Sequence, residues 1–234
     1  MTVGIWLDQV ESTLDEVHAR AAVGAPDGTW LVAAEQRAGR GSRGRSWHSP
    51  RGGLWLSVLR RGAGTPAGFE LLSLRAGLAV AGVLDGLPPI SPVMLKWPND
   101  LMVRDRKAGG LLAEARWQGE RLQWVAIGLG LNVRNPIPSE LAGGATALGE
   151  YCSETTVEAL AEPLARALGS VDLEAPELTQ EELADYGARD WLRGRIVSRP
   201  IEGTAAGIGP DGRLAVRDRA GILHRVSPGD VFQS

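Results

Sequence analysis

Lysine is almost missing from this chain. Its 25 basic residues include only two lysines, Lys96 and Lys107, which lie eleven positions apart, and all the others are arginine. A lysine ammonium is a compact point charge on a flexible stem, whereas the arginine guanidinium is a broad planar fork that does not fit the same crowded geometry. The two positions therefore indicate sites where a guanidinium cannot serve, although chance could also leave two lysines so close together.

The chain also has few cysteines and histidines and no long apolar run, which argues against disulfide-rich, zinc-binding and membrane-spanning proteins. The single cysteine, Cys152, excludes an internal disulfide framework, and the three histidines His18, His48 and His224 are too scattered to suggest a zinc site. No apolar run approaches the ~18 residues needed to span a bilayer, and the first residues lack a basic region followed by an apolar core. We therefore expect a cytoplasmic protein with no membrane partner.

Length, composition and net charge indicate the kind of protein and how it could bind phosphate. The chain has 234 residues, 44% hydrophobic and 23% charged, as in an ordinary globular protein of one domain plus a small appendage. The net charge of −3 gives no general attraction to nucleic acid. Any phosphate binding must therefore come from a local cluster of arginines.

The pattern of apolar residues predicts an α+β fold with a mixed or antiparallel sheet flanked by helices. Strands are expected at Val3–Leu7, Thr29–Glu35, Leu54–Leu59, Val93–Trp97, Gly110–Trp117 and Leu122–Gly128, and helices at Thr13–Val23, Phe69–Leu87, Val157–Leu168 and Glu181–Ala188. Thr13 and Glu16 have capping-box spacing, and Pro88-Pro89 would close the long helix. Strands joined by short turns, with helices grouped before and after them, favour α+β over an alternating parallel sheet.

The pattern changes near the C-terminus. From Arg195 onwards, four short strands separated by turns are expected at Arg195–Ser198, Thr204–Ile208, Leu214–Arg217 and Ile222–Val226. They predict a small barrel that needs to pack on the main domain for stability. We place the main domain at residues 1–188 and the barrel domain at residues 189–234.

A loop rich in arginine and glycine follows the second strand. Arg37, Arg40, Arg43, Arg45 and Arg51 fall within fifteen residues and alternate with glycines. Glycines let backbone N–H groups close on an anion, and arginines offer forked donors to phosphate or carboxylate oxygens. The loop is therefore a lid over a polyanionic ligand, an ordinary solvated loop, or a loop that contacts RNA. Neither a Walker loop nor a dinucleotide-binding glycine motif is present.

Both lysines stand at strand ends beside other polar residues. Lys96-Trp97-Pro98-Asn99-Asp100 ends one strand with an amide and a carboxylate, and Arg106-Lys107-Ala108-Gly109-Gly110 begins the next. Gly128-Leu129-Gly130-Leu131-Asn132 finishes a third strand. Each segment alone is a commonplace strand end, but together they would gather polar groups at one edge of a sheet.

These segments, taken with Glu11-Ser12-Thr13 and the Gln36–Trp47 loop, resemble the biotin protein ligases in order and spacing. The similarity covers nearly the whole chain, because Trp191–Gly229 looks like the C-terminal SH3-like barrel of that family. The resemblance implies a catalytic domain of the class II synthetase and biotin ligase type. The N-terminal DNA-binding domain of repressor-type members is not recognisable, so the chain resembles the short form, and we expect no DNA partner.

The resemblance also implies the reaction. Such ligases join the carboxylate of biotin to the α-phosphate of ATP, release pyrophosphate, and pass the biotinyl group to a lysine of a biotin carboxyl carrier protein domain. ATP and Mg²⁺ are then the co-substrate and ion, and biotin is the substrate. The carrier belongs to a biotin-dependent carboxylase, and the oligomeric state stays open, a homodimer included.

Site residues follow from the same resemblance, position by position. Lys107 and Arg40 would be catalytic, with Lys107 between the biotin carboxylate and the α-phosphate. Biotin would be bound by Ser12, Thr13, Gln36, Arg40, Gly41, Ser42 and Lys107. ATP would be bound by Arg43, Arg45, Trp47, Lys96, Asn99, Asp100 and Asn132, and Asp100 is the candidate ligand for Mg²⁺, which prefers oxygen donors.

Two residues depart from the family pattern. The usual Gly-Arg-Gly-Arg reads Gly39-Arg40-Gly41-Ser42, and the usual Ser-Thr-Asn reads Ser12-Thr13-Leu14. An arginine missing from the lid predicts faster leakage of the adenylate, unless Arg43 or Arg37 substitutes for it. We also expect a glycine-rich lid to be mobile when empty and ordered by ligand.

Three alternatives remain on sequence grounds. A lipoate ligase or octanoyl transferase would share the fold, but the lid and the C-terminal barrel favour biotin. An inert ligand-binding relative is supported only by Ser42 and Leu14, and Lys107 and Arg40 argue against it. An RNA-binding module would use the arginine loop, but the acidic balance and the lack of aromatic strand motifs weaken it.

Overall fold

The structure is a computed structural model that describes residues 4–87, 90 and 92–228. Parts of three predictions therefore lie outside the described residues. They are Val3 of the first predicted strand, Pro88-Pro89 as the end of the long helix, and residues 229–234 of the predicted barrel domain.

A seven-stranded mixed sheet forms the centre of the molecule. Its strands are β1 (Ile5–Val10), β2 (Trp30–Gln36), β3 (Leu54–Arg60), β4 (Met94–Lys96), β5 (Asp100–Val103), β6 (Arg106–Gln118) and β7 (Arg121–Leu131). The spatial order is β1-β2-β3-β7-β6-β5-β4. Only β1 and β2 run parallel, and all other neighbours in this sheet are antiparallel, which confirms the predicted mixed sheet.

Four helices cover this sheet: α1 (Thr13–Ala22), α2 (Pro66–Leu84), α3 (Val157–Gly169) and α4 (Gln180–Arg189). Side chains alternate between the two faces of a strand. Leu31 of β2 accordingly packs in the small core under α1, while its neighbour Val32 belongs to the large core that α2 and α3 cover. The alternation on β2 thus separates two apolar layers, as expected for an α+β fold with helices on a sheet.

The cap of α1 differs from the sequence prediction. Ser12 is the N-cap, and its hydroxyl accepts from the backbone N–H of Leu14 at 3.3 Å. Thr13 is instead the first helical residue, and both its N–H and its hydroxyl donate to the side chain of Gln36. The capping box predicted for Thr13 and Glu16 is wrong because the Thr13 hydroxyl binds a side chain of the neighbouring strand.

Helix α2 differs from the expectation that the chain has no apolar run long enough to span a bilayer. Among the described residues it is long and apolar enough, by length and composition alone, to cross a membrane, although the sequence was expected to lack such a run. More than half of this stretch is buried in the fold, where α2 contacts α3, α4 and the sheet. Its apolar character therefore fits a helix covered on several sides.

A second, four-stranded sheet lies near the C-terminus. It contains β8 (Ile196–Val197), β9 (Gly203–Ile208), β10 (Leu214–Arg217) and β11 (Leu223–Val226), all antiparallel, in the order β11-β10-β9-β8. These strands agree with the predicted small barrel. The indole N–H of Trp97 donates to the Gly212 carbonyl at 2.9 Å, and the backbone N–H of Trp191 donates to the Leu95 carbonyl at 3.0 Å. The second sheet is thereby tied to strand β4 and the turn after it.

Substitution of one buried arginine is expected to lower the free energy of unfolding strongly. Arg75 of α2 is only 4% exposed; its Nε donates to Glu182 at 2.9 Å, and its other N–H groups donate to backbone carbonyls, including that of Glu177 at 2.8 Å. Removing one partner of a buried pair typically costs about 3–5 kcal/mol. We expect Arg75→Met to lower the free energy of unfolding by about this amount in urea titrations. Arg166→Met, which breaks an exposed pair with Glu162, should cost less than about 1 kcal/mol.

Candidate functional site

A cavity of about 470 Å³ lies where strands β3, β6 and β7 meet the arginine-glycine loop. Residues 137–145 close its other side. Eleven of the predicted site residues line it: Ser12, Thr13, Gln36, Arg40, Gly41, Ser42, Arg45, Trp47, Asn99, Lys107 and Asn132. The remaining wall is largely apolar and comes from leucines of the three strands and from Leu14.

Neutral polar groups form one end of the cavity. The Gln36 carbonyl oxygen accepts from the Thr13 backbone N–H at 2.8 Å and from the Thr13 hydroxyl at 3.0 Å. The buried Ser57 hydroxyl donates to the Thr13 hydroxyl at 2.8 Å, and the Gln36 amide donates to Ser49 at 2.9 Å. Because each group orients the next, this end presents fixed donors and acceptors without a net charge.

The arginine-glycine loop folds back on itself. Gly41 N–H donates to the Arg45 carbonyl at 2.7 Å, and Trp47 N–H donates to the Gly39 carbonyl at 2.8 Å. A Cβ atom on Gly39 would lie 2.5 Å from the Ser49 hydroxyl and 2.6 Å from the Trp47 carbonyl. Only glycine fits there, so the sequence at this position permits the tight return of the chain.

Arg40 is bound by two carboxylates. Its guanidinium donates two parallel hydrogen bonds to Asp15, each 2.8 Å long, and weaker ones to Glu114 at 3.3 and 3.4 Å. The hydrogen bond from Arg40 lowers the pKa of Asp15. The same bond to Asp15, with the charge of Glu114, raises the pKa of Arg40.

Lys107 is likewise paired with an anion. Its Nζ lies 2.5 Å from Asp100 Oδ1 and 5.0 Å from the centre of the Trp47 ring. Its backbone N–H donates to the Gly144 carbonyl at 2.8 Å, and its carbonyl accepts from Thr146 at 2.9 Å. Lys107 thus links β6 to the segment that closes the far side of the cavity.

Trp47 sits directly on strand β7. A Cβ atom on Gly130 would lie 2.6 Å from the indole nitrogen, so the missing side chain makes room for the ring. That indole nitrogen is buried and has no hydrogen-bond partner within the described part of the chain. Trp47 therefore packs closely on β7 beside Lys107, with its indole nitrogen buried against Gly130.

The other three predicted residues do not line the cavity. Arg43 stands in the turn Ser42–Gly44 with a left-handed backbone (φ 63°). Lys96 lies 5.0 Å from the Trp191 ring, and burial lowers its pKa. Asp100 is opposite Lys96 in the β4–β5 pairing and reaches the cavity only through its contact with Lys107.

Sequence reasoning missed several groups at this site. Asp15 looks like an acidic residue in the first turn of a helix, and Glu114 like a polar residue within a strand, so neither carries a recognisable signal. Ile137, Pro138 and Leu141 also line the cavity, and they lie in or just after a run of turn-forming residues that gives no sign of ligand contact.

A metal ion would find few protein ligands here. Within the described residues, no group of three or more histidine, cysteine or acidic side chains is arranged to hold one. Asp100 offers a single partly buried carboxylate, next to Lys107.

Comparison with known proteins agrees with this geometry. The sequence profile of the biotin/lipoate A/B protein ligase family matches residues 7–132. The chain belongs to this family. All the predicted site residues lie within the matched range, as do the missed Asp15 and Glu114. The family match also confirms the resemblance that the sequence motifs indicated.

Individual members of the biotin/lipoate ligase family are similar over most of the chain. A biotin–[acetyl-CoA-carboxylase] ligase of Mycobacterium tuberculosis is 36% identical over 95% of this chain and 86% of its own length. A biotin protein ligase from Aquifex aeolicus, solved with biotin and ATP, has a TM-score of 0.79 at 26% identity and covers 99% of this chain and 98% of its own. The enzyme from Leishmania major, solved with biotinyl-5-AMP, has a TM-score of 0.63 at 27% identity, over 96% and 98% of the two chains.

Proposed function

We propose that this chain is a biotin–[biotin carboxyl carrier protein] ligase, a ligase that forms a carbon–nitrogen bond. It activates biotin with ATP to biotinyl-5′-AMP and transfers the biotinyl group to a specific lysine of a carrier domain. The observation that carries the proposal is the single cavity in which a neutral polar end meets the cations Arg40 and Lys107. The names of the relatives and the ligands of the related structures support it.

The neutral end suits the ureido head of biotin. Ser12, Thr13 and Gln36 offer hydrogen-bonding groups to a ring that carries both N–H donors and a carbonyl acceptor. The leucines of the sheet would contact the apolar ring and chain of biotin, which leaves its carboxylate pointing to the cationic end. Arg40, Gly41 and Ser42 would complete this part of the site.

At the cationic end, Lys107 would lie between the biotin carboxylate and the α-phosphate. A carboxylate oxygen attacks the α-phosphorus, and pyrophosphate leaves. Both reactants are anions, so a cation that contacts both lowers their repulsion and holds the in-line approach. Arg40 would contribute a second positive charge, and Arg43, Arg45, Trp47, Lys96, Asn99, Asp100 and Asn132 would surround ATP.

Asp100 would be the protein ligand for magnesium. A single carboxylate with substrate phosphates is a usual environment for Mg²⁺, which keeps several waters. When bound, the ion neutralises phosphate charge. Asp100 is paired with Lys107, so the carboxylate that would hold the ion lies beside the cation that would contact the substrate anions.

In the second step the amine of the carrier lysine attacks the acyl carbon, an amide forms, and AMP leaves. The partner is therefore the biotin carboxyl carrier domain of a biotin-dependent carboxylase, and the enzyme acts in the cytoplasm. We assign catalysis to residues 1–188 and place the SH3-like domain at residues 189–234. Among the described residues the outer edge of β1 pairs with no strand, so it offers a surface for a homodimer.

The lipoate or octanoyl alternative is not favoured. The family name covers both kinds of ligase, but the three similar proteins described above are named biotin ligases. Arg40 and Lys107 are both present at the cavity, which argues against an inert relative. An RNA-binding module would use the arginine-glycine loop, but the net charge of −3 and the lack of aromatic strand motifs for base stacking argue against it.

The test combines two measurements on the purified chain. Pyrophosphate release should depend on both biotin and ATP, and a biotin carrier domain should become labelled on one lysine. Lipoate or octanoate in place of biotin should give neither signal above background. Labelling with lipoate but not with biotin, or binding of biotin without pyrophosphate release, would contradict the proposal.

A further inference from the structure

A row of charged residues runs outward from the cavity to the β4 edge of the main sheet. Lys107 is on β6 and Lys96 is on β4, and Asp100 of the intervening strand β5 lies opposite Lys96 in the strand register. Asp100 Oδ1 lies 2.5 Å from Lys107 Nζ. Neighbouring strands are about 4.8 Å apart, so the backbone of Lys96 stands roughly 10 Å beyond β6.

The segment that leads into the second sheet continues this row past β4. The backbone N–H of Trp191 donates to the Leu95 carbonyl at 3.0 Å, which places Trp191 beside Lys96. Lys96 Nζ lies 5.0 Å from the centre of the Trp191 ring, and the guanidinium carbon of Arg195 lies 3.9 Å from it. Lys96 and Arg195 thus meet on one aromatic ring, although they come from different parts of the fold.

Positive charge is in excess along this row. Burial lowers the pKa of Lys96, and Asp100 opposes this shift. The positive charges of Lys107, Arg45 and Arg195 lower the pKa further, so all three lie within electrostatic range of the Lys96 ammonium. A group of cations of this kind attracts a polyanion.

Arg195 is oriented by contacts that leave part of it accessible. Its guanidinium donates to Asp105 Oδ1 at 2.6 Å, and the Trp191 indole N–H donates to the same oxygen at 2.7 Å. The Arg195 side chain is 43% exposed. A guanidinium carries several N–H donors, so those not bound to Asp105 can donate to phosphate oxygens.

We propose that Lys96 and Arg195 form a subsite for the β- and γ-phosphates of ATP, and therefore for the pyrophosphate that leaves. The proposal rests on the function proposed above and adds Arg195, from the segment that enters the second sheet, to the residues that bind substrate. With the α-phosphate at Lys107, the next two phosphates extend along the row towards Trp191. When the bond from the α-phosphorus to the bridging oxygen breaks, its electron pair stays on pyrophosphate, and the two cations stabilise that charge.

The two half-reactions separate this subsite from the rest of the site. Arg195→Gln should raise the KM for ATP and the inhibition constant of pyrophosphate about tenfold each. This is the lower end expected for a hydrogen bond between charged groups, because the side chain is partly exposed. Transfer from preformed biotinyl-5′-AMP to a carrier domain should be unchanged, since pyrophosphate has already left.

Asp105→Asn is the matched control. It removes the carboxylate charge that pairs with Arg195 but leaves the cation in place, and asparagine accepts the left-handed backbone of this position (φ 65°). If Arg195 only held the two sheets together, both variants would raise the KM for ATP alike. A phosphate subsite instead predicts a KM at or below the wild-type value in Asp105→Asn. Equal increases in the two variants, or slower transfer from preformed adenylate in Arg195→Gln, would overturn the proposal.

Calorimetric titration of inorganic pyrophosphate into the whole chain, with Mg²⁺ present, checks the subsite without turnover. The wild type should bind pyrophosphate, and Arg195→Gln should bind it about tenfold more weakly. Lack of binding, or equal binding by both proteins, would contradict the subsite. Binding that depends on Arg195, in a wild type that forms no biotinyl-5′-AMP, would refute the proposed function and leave the subsite standing.

Discussion

Replacement of Lys107 by alanine is expected to slow formation of biotinyl-5′-AMP by about 10²- to 10³-fold, since it removes a preorganised donor to the charge that develops in the reaction. Lys107→Arg should also lose most of the activity although it keeps the charge. The Nζ atom lies 2.5 Å from Asp100 Oδ1 and 5.0 Å from the centre of the Trp47 ring. A guanidinium is too broad for that space.

Biotin- and ATP-dependent pyrophosphate release in a single turnover measures this effect directly. Arg106→Lys is a suitable control, because Arg106 precedes Lys107 on β6 but pairs with Glu150 instead of lining the cavity. It should retain nearly full activity. Full activity in Lys107→Arg would remove the case for a required compact ammonium, and with it the functional meaning of the scarcity of lysine.

The two lysines show what a sequence can and cannot predict about a site. Both stand in recognisable motifs at strand ends, and the β4–β5 pairing places Lys96 beside Asp100, which in turn binds Lys107. Only Lys107 lines the cavity, whereas Lys96 faces Trp191 of the C-terminal region. The register of β5 and β6 shifts between Leu101 and Met102, and Met102 then pairs with Lys107. Such a bulge changes the side to which a strand residue points, and local sequence does not specify it.

The counter-ions of the site are harder to predict than its cations. Arg40 is recognisable because glycines surround it, but Asp15 and Glu114 lie 25 and 74 positions away in ordinary helical and strand contexts. Contacts between residues distant in sequence also explain the cap of α1. Ser12 and Thr13 are both reasonable caps, and the choice is made by Gln36, which belongs to another element. Long-range pairing decides these details after the elements have assembled.

The loop around Ser42 is well placed for the predicted leakage of the adenylate. Ser42 lines the cavity, and its hydroxyl only accepts a hydrogen bond from Arg45 at 3.2 Å. Arg37 does not replace the missing arginine, because its guanidinium donates to Gln9 and it does not line the cavity. Arg45 lines the cavity and contacts Ser42, so it is the candidate to supply that contact to the ligand.

We therefore expect Ser42→Arg to slow dissociation of biotinyl-5′-AMP by about 10- to 100-fold, as one added hydrogen bond between charged groups contributes about 1.5–3 kcal/mol. The rate is measured by forming the labelled adenylate on the enzyme and chasing it with unlabelled biotin and ATP. Ser42→Ala is the control for loss of the hydroxyl alone. It removes the side-chain acceptor for Arg45 without adding charge, so its dissociation rate should match the wild type. Equal rates in wild type and Ser42→Arg would show that Arg45 already supplies the missing contact, and the serine would then carry no cost in retention of the intermediate.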